Sequence, residues 1–218
     1  MSNSLIQLLV LAGIAIFLII KLKSVLGTRS GYEKPPAPAP VADRREPRFD
    51  VIEGGADHDI IDHVPQGSDA ARALAQMKEV EPSFSVQRFL AGARSAYEMI
   101  LMAFERGDLD PVRPFLAADV LDAFVEAVEA RRARGLTVTA EFLGIRDIAI
   151  KDATFDPETG EAEIAVRFVG ELISSARDAE GRIVEGNPNA VRKQRDVWTF
   201  ARRMGGGDPN WQLVATGE

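Results

Sequence analysis

The chain has no cysteine and only two histidines in 218 residues. It can therefore form no disulfide and no cysteine-rich zinc site, and it has no thiol nucleophile. Both histidines, His58 and His63, lie in an acidic stretch (DHDIIDH) that we expect to be solvated, so we predict no metal site there. A general base in the rest of the chain would have to be a carboxylate. No group of residues indicates a catalytic centre or a cofactor site, so the residues alone leave the function open.

A surplus of positive charge is also missing. The formal net charge is −7, and residues 83–218 hold 17 basic against 22 acidic side chains. Because nucleic-acid phosphates need a basic surface, this balance argues against a nucleic-acid partner. It also argues against a broad electrostatic attachment to anionic lipid, although local basic strips can still contact headgroups. Two strips are candidates for such contacts: Arg131, Arg132 and Arg134, and Arg192, Lys193 and Arg195.

Each basic strip also has a structural explanation. Arg131 and its neighbours lie at the end of a predicted helix, where cations complement the helix macrodipole without any ligand. The strip at residues 192–195 is expected either to pair across strands with Glu161 and Glu163 or to bind headgroups. The sequence alone leaves these alternatives open.

One long apolar run lies at residues 5–20 (LIQLLVLAGIAIFLII). As a helix these sixteen residues rise about 24 Å, and continuation through Leu26 gives about 33 Å, because lysine stems can extend towards the headgroups. We therefore predict a single transmembrane anchor over residues 1–27. The positive-inside rule places everything after Lys21 in the cytoplasm or an equivalent compartment. The anchor residues are Leu5, Leu8, Leu9, Ile14, Phe17, Ile20, Lys21 and Lys23.

Two alternatives to the anchor remain open at this point. A cleaved signal peptide would carry positive charge before the apolar run and a small-residue cleavage site after it, whereas MSNS precedes this run and KLKSVLG follows it. A buried core helix is the other alternative, but the segment that follows has no pattern suited to cover it. The anchor is therefore the favoured interpretation.

Residues 28–81 are predicted to be a flexible linker. The first part of this segment holds five prolines, which favour extended polyproline-like conformations over packing. The second part, from Asp50, holds eight acidic and two basic side chains and few aromatic ones, a composition typical of disorder. A short helix near residues 69–79, capped by Ser68 or Asp69, is the one element expected within it.

Residues 82–218 are expected to form one α+β domain, because helical periodicity comes first and strand patterns follow. Apolar side chains at three- and four-residue steps predict a helix over residues 83–106, and a second long helix ends at Gly135. Beyond it, segments rich in β-branched and aromatic residues alternate with hairpin turns (DPETG, DAEG and GGGDPN). We predict two main helices packed on a curved antiparallel sheet. Strands are expected at residues 137–143, 145–155, 161–173, 191–203 and 211–216.

The large apolar side chains of this domain are most simply its core. A strongly curved sheet would, however, leave a cavity beside the helices, and the same side chains could then line a hydrophobic pocket. The candidates for that lining are Phe89, Tyr97, Leu101, Phe124, Phe168, Trp198, Phe200 and Trp211.

Three segments of the domain resemble a known family in their combination and order. They are SFSVQRFLAGARSAYEMILMAFERGDLDPVRPFL (83–116), RFVGELISSARDAEGRIVEGNP (167–188), and DVWTF with DPNWQLVAT (196–216). Together they resemble the Tim44-like domain, and most closely its short, membrane-anchored bacterial members, called TimA. The predicted anchor and the proline-rich linker agree with the bacterial layout.

This resemblance implies a nuclear-transport-factor-two-like, or cystatin-like, cone in which helices and a curved sheet enclose a pocket. The mitochondrial relative tethers an import motor to the inner-membrane translocase and contacts cardiolipin-rich membrane. For this chain the resemblance implies an adaptor, and not an enzyme, at the bacterial inner membrane. Its N-terminus is expected outside and its domain in the cytoplasm. Such an adaptor would position a partner protein, such as a chaperone or a translocation or assembly factor. The alternatives are a domain that binds lipid or another small hydrophobic ligand, and a ligand-processing enzyme of the same cone fold.

Overall fold

A computed structural model of the protein describes residues 57–217. In that range the helices are α1 (His58–Ile61), α2 (Asp69–Val80), α3 (Val86–Arg106) and α4 (Ala118–Ala133), with a 3-10 helix at Asp110–Phe115. The strands are β1 (Thr137–Phe155), β2 (Glu161–Arg177), β3 (Ile183–Gly186), β4 (Arg192–Arg203) and β5 (Gln212–Gly217). Helices therefore precede strands, and the predicted α+β class is confirmed.

The strands form one antiparallel sheet in the order β1-β2-β4-β5, with β3 paired to β2. β1 follows β2 from the pair Thr137 and Arg177 to the pair Phe155 and Ala162. Three register shifts interrupt this ladder on the β1 side. Because a β-bulge bends and twists its strand, these shifts curve the sheet around the helices. The predicted curved antiparallel sheet is therefore confirmed.

β1 is one continuous strand, although the sequence predicted two strands separated at Gly144. This glycine lies at a register shift and has a φ of 140°, which a side chain would rarely tolerate. The glycine thus marks a bulge within the strand rather than its end. β3 was not predicted, because its four residues are all exposed and show no alternation of apolar and polar side chains.

One hydrophobic cluster joins every helix to the four longer strands. On β2 the inward side chains alternate with outward ones, so that Ile164, Val166 and Phe168 are fully buried while Glu161 and Glu163 are exposed. α3 crosses this inner face, and the apolar side of the helix supplies Phe89, Tyr97 and Ile100, among others. Its N-cap is Ser85 and its C-cap is Gly107 in the left-handed conformation.

Residues 57–81 belong to the folded domain, which corrects the expectation of a flexible linker for this part of the chain. Ile60 and Val64 are buried, and Leu74 and Met77 of α2 are completely buried. The expected short helix near residues 69–79 is present as α2, and its N-cap is Ser68. Acidic composition suggested disorder here, but the apolar side of α2 packs in the core, and Asp69, Arg72 and Glu79 on its other side are exposed. The sequence-based boundary at residue 82 is therefore too late in the chain.

The predicted anchor and the proline-rich part of the linker lie outside the described residues. Between residues 57 and 217, no helix is both long and apolar enough to span a bilayer.

Candidate functional site

A buried tyrosine lies at the centre of the aromatic core. The Tyr97 ring stacks on Phe168, with ring centres 4.4 Å apart and an interplanar angle of 12°, and the ring of Trp198 lies 4.7 Å away. The Tyr97 hydroxyl donates a hydrogen bond of 2.5 Å to Oδ2 of Asp196. Gln194 donates from Nε2 to the other carboxylate oxygen at 3.2 Å. The carboxylate of Asp196 thus satisfies the polar end of an otherwise buried ring.

The phenol of Tyr97 is held neutral. Burial raises its pKa well above the ordinary value of 10, and the hydrogen bond and the negative charge of Asp196 raise it further. A neutral phenol that donates to a carboxylate is a stable structural pair and is unsuited to act as a base at physiological pH.

Gly170 gives Tyr97 its space on β2. A Cβ atom at this glycine would lie 3.1 Å from the Tyr97 hydroxyl oxygen and 3.4 Å from Phe142. The glycine therefore lets the ring and hydroxyl of Tyr97 pack directly against the strand backbone.

The structure places the eight predicted pocket residues in three settings. Core packing accounts for Tyr97, Leu101, Phe168 and Trp198, all of which are buried. Phe124 on α4 is half-buried and packs on Phe104, with ring centres 4.8 Å apart. The remaining three, Phe89, Phe200 and Trp211, line an open groove, which is described next.

The aromatic groove lies between the N-terminal half of α3 and the loop that joins β4 to β5, and its volume is about 420 Å³. Trp211 forms one wall, 4.8 Å from the ring of Phe89 and 6.0 Å from that of Phe84. The α3 wall consists mainly of small side chains and ends at Met99, which is 39% exposed. Its further lining residues include Ser85, Gly92, Ser95, Ala96 and Phe115.

Arg202 and Glu81 form an ion pair at the edge of this groove. Nη2 of Arg202 donates to Oε1 of Glu81 at 2.9 Å, and the guanidinium lies 5.2 Å from the ring centre of Trp211. Burial raises the pKa of Glu81, but the hydrogen bonds from Arg202 and from the Gly205 amide lower it more, and the net pKa lies below its ordinary value. Glu81 is therefore ionised at neutral pH, and its negative charge lies against the guanidinium of Arg202.

Sequence reasoning missed this pair. Glu81 lies in the segment that the sequence predicts as linker, 121 positions from Arg202. Neither residue belongs to a short motif, so only the tertiary structure brings them together.

The basic strip at the end of α4 is used within the protein. Arg131 donates to the carbonyl oxygen of Phe104 at 2.5 Å, and Arg132 donates to that of Gly107 at 2.6 Å. Burial lowers the pKa of Arg131, although nearby Glu105 raises it. These two arginines satisfy carbonyls at the C-terminus of α3, which a helix leaves unpaired. Arg134 is the C-cap residue of α4 and is exposed.

The second basic strip is exposed on β4, and its predicted partners were wrong. Arg192 and Lys193 lie opposite Leu172 and Glu171, and Arg195 lies opposite Val169. The glutamates that the sequence suggested as partners, Glu161 and Glu163, lie opposite Arg203 and Ala201 instead. The two strands are antiparallel, so the start of β4 meets the end of β2.

Comparisons with known proteins agree with the predicted family. The sequence model of the Tim44-like domain matches residues 70–218. The chain is 23% identical over 150 residues to a Homo sapiens protein named mitochondrial import inner membrane translocase subunit TIM44, and 21% identical over 134 residues to Arabidopsis thaliana TIM44-1. These matches cover 67% and 61% of the chain but only 33% and 28% of the relatives, so the chain spans about a third of their length.

A solved structure, the intermembrane space region of the chloroplast protein ARC6, is also similar. It is 13% identical, and the match covers 59% of this chain and 94% of that structure with a TM-score of 0.38. The family match, by contrast, includes α2 to α4 and the whole sheet. This chain belongs to the Tim44-like domain family.

Proposed function

We propose that this protein is a membrane-tethered adaptor that holds a partner protein beside a membrane through the aromatic groove of its Tim44-like domain. The observation that carries the proposal is the groove itself. Trp211, which is half-buried, and Met99, which is 39% exposed, line the groove next to the ion pair of Arg202 and Glu81. Large apolar side chains kept accessible on one side of a domain are typical of a binding site. The proposal assigns the domain no catalytic step.

The tether in this proposal is the apolar run at residues 5–20. A helix there, followed by Lys21 and Lys23, would anchor the chain with the domain on the side of the positive charges. Tethering raises the local concentration of the domain at the membrane, so that a modest affinity for the partner suffices. In this proposal the protein is a short bacterial member of the family at the inner membrane, with its domain in the cytoplasm. Its partner is a chaperone or a translocation or assembly factor.

Site-specific photo-crosslinking in native membranes tests the adaptor. A photoreactive residue at Met99 is expected to capture a discrete partner, whereas the same residue at Lys151, exposed on β1, is expected to capture none. Deletion of residues 1–27 should remove the Met99 product, because the domain is then no longer held at the membrane. Equal capture from both positions, or undiminished capture without the anchor, would contradict the proposal.

A second candidate is direct lipid binding, and the exposed strip of Arg192, Lys193 and Arg195 favours it. Because the buried side chains of residues 57–217 form a common core, the fragment 57–218 can be floated with cardiolipin vesicles without the anchor. Alanine at Lys193 and Arg195 together should abolish flotation if the strip binds headgroups. The matched change at Arg113, which is exposed on the 3-10 helix, should leave it unchanged. Absence of flotation at low salt would eliminate this candidate.

A further inference from the structure

The first half of β1 forms an open edge of the sheet. β1 is the end strand in the order β1-β2-β4-β5, so within residues 57–217 it is paired only on the side that faces β2. The ladder with β2 is regular from Thr137 to Phe142, and the first register shift follows Phe142. Residues 137–143 (TVTAEFL) therefore present a regular row of backbone amides and carbonyls to a further strand.

This half of β1 lacks the features by which proteins usually prevent edge pairing. It holds one charged side chain, Glu141, and neither proline nor lysine. Residues 144–155, by contrast, hold four charged side chains and two of the three register shifts, and both features discourage edge-to-edge association. The other end strand, β5, has six residues, and its Leu213 carbonyl accepts from the Ala117 amide. β3 has only four residues.

Apolar side chains along this edge are only half covered. Val138, Ala140 and Phe142 alternate with exposed residues and share the face of β1 that the helices cover, yet all three are half-buried. Leu172, which lies opposite Phe142 on β2, is completely buried. Leu143 on the other face is 46% exposed. A further strand beside β1 would cover the half-buried row.

The sequence of this edge is complementary to itself. When two copies pair antiparallel about Ala140, Val138 of each copy lies opposite Phe142 of the other, which is a favourable pair of a β-branched and an aromatic side chain. Thr139 then lies opposite Glu141. Pairing about Glu141 would place two carboxylates opposite each other, which is unfavourable. Pairing about Thr139 would leave Phe142 beyond the start of the other copy's strand.

We infer that residues 137–143 of two copies pair antiparallel about a two-fold axis at Ala140 and form a homodimer. Because identical residues meet at the axis, the helix-covered faces of both sheets lie on the same side, and the two half-buried rows continue into one another. Seven residues from each copy are few beside the roughly 20–30 of a standard interface, so the association is weak. The inference goes beyond the proposed function, because it requires neither the groove nor a different partner protein.

Disulfide trapping tests both the dimer and its register, and the absence of native cysteine means that only introduced thiols report. Directly opposed residues of an antiparallel ladder have Cα atoms about 4.5–5.5 Å apart, which a disulfide spans, whereas diagonal neighbours lie about 7–8 Å apart. Full-length Thr139→Cys and Glu141→Cys chains with different tags are co-expressed and oxidised with diamide in intact cells. The mixed disulfide is expected to form about tenfold faster than the dimer of Glu141→Cys alone, in which the thiols are diagonal. Lys151→Cys, exposed on the charged half of β1, measures random collision.

A charge at the axis separates pairing from folding. Ala140→Lys, added to both cysteine variants, places two ammonium groups opposite each other and should lower the yield of mixed disulfide about fivefold or more. Ala149→Lys, at a half-buried position of the second half of β1, is the matched control and should leave the yield unchanged. Ala140→Lys in one chain and Ala140→Glu in the other should restore the yield, because the opposed charges then attract.

Three outcomes would overturn the inference. They are equal yields from opposed, diagonal and Lys151→Cys thiols, no product with the mass of two chains, and failure of the Ala140→Lys and Ala140→Glu combination to restore the product. A disulfide to a different protein as the main product would show that another strand occupies this edge, and it would likewise exclude the second copy.

Discussion

Asp59 accepts a hydrogen bond of 2.8 Å from the backbone amide of Val86, 27 residues further along the chain. The same carboxylate accepts from the amide of Gln87 at 2.9 Å, and Lys78 lies 2.8 Å from it. A residue from the acidic segment before α2 thus places a negative charge at the N-terminus of α3, where unpaired amides and the helix dipole favour it. This contact ties α1 to the helix that lines the groove.

Asp59→Asn should lower the free energy of unfolding by about 1–2 kcal/mol, because an amide caps α3 less well than a carboxylate does. Burial raises the pKa of Asp59, but its hydrogen bonds from Lys78 and the two amides lower it more, from 3.8 to about 2. The folded-state pKa is therefore depressed, so this stabilisation is present above about pH 4 and is lost as the pH falls towards 2.

Urea unfolding of the wild type and the variant between pH 2 and pH 7 measures this effect. Asp62→Asn, an exposed acid of the same segment, is the control and should behave like the wild type. A constant difference between Asp59→Asn and the wild type down to pH 2 would contradict the assignment.

The domain boundary gives a second prediction. Leu74 is completely buried, and Leu74→Ala should lower the stability by about 2–5 kcal/mol, whereas Ala at exposed Glu79 should change it little. A fragment of residues 57–218 should unfold cooperatively, and one of residues 82–218, which lacks α1 and α2, should not. Thermal unfolding followed by circular dichroism distinguishes them. A cooperative transition with the same midpoint for both fragments would mean that residues 57–81 are part of the linker and not of the folded domain.

The third prediction concerns Tyr97. Its pKa is raised above the ordinary value of 10, so the neutral phenol contributes stability that is fully present below pH 10 and lost as the pH rises beyond it. Tyr97→Phe should lower the stability by about 1–3 kcal/mol at pH 7, because the Asp196 carboxylate loses a donor. The variant should also lose this alkaline dependence. Asp196→Asn, alone and combined with Tyr97→Phe, completes a double-mutant cycle. Additive changes in the free energy of unfolding would argue against a direct interaction between the two side chains.

Two glycines should respond in opposite directions to alanine. Gly170→Ala places a Cβ 3.1 Å from the Tyr97 hydroxyl and should destabilise the protein by about 1–3 kcal/mol. Gly92→Ala meets no atom within 4 Å and lies inside α3, so it should stabilise by about 0.5–1 kcal/mol through helix propensity. Guanidinium unfolding of both variants checks the signs. A stable Gly170→Ala protein would mean that the β2 backbone or Tyr97 moves easily.

Much of the fold could be predicted from local pattern. The apolar spacing of residues 86–106 and the alternation of Ile164, Val166 and Phe168 predicted α3 and β2, because an element that buries one side repeats its apolar residues with its own period. The end of α3 at Gly107 and the hairpin turns could also be predicted, because they depend on local backbone conformation. The pattern could not predict the bulges of β1, since they depend on how the strand follows its neighbour.

The candidate site was predicted only in part. Phe89, Phe200 and Trp211 line the groove, although Phe89 and Phe200 are buried like the core aromatics. Nothing in the sequence separates Trp211, which is half-buried, from the buried Trp198. An aromatic side chain has the same local pattern whether it faces a closed interior or an open groove.

The sequence by itself determined the α+β class and the family, because periodicity, turn residues and the three matching segments are properties of consecutive residues. Only the tertiary structure decided that Asp59 caps α3, that Arg202 pairs with Glu81, and that Arg131 of α4 donates to a carbonyl at the end of α3. These contacts join residues 27 to 121 positions apart. The sequence pattern around a polar side chain is the same whether that side chain faces water or a protein partner. The partner comes within hydrogen-bond distance only when the apolar sides of the helices and strands pack together.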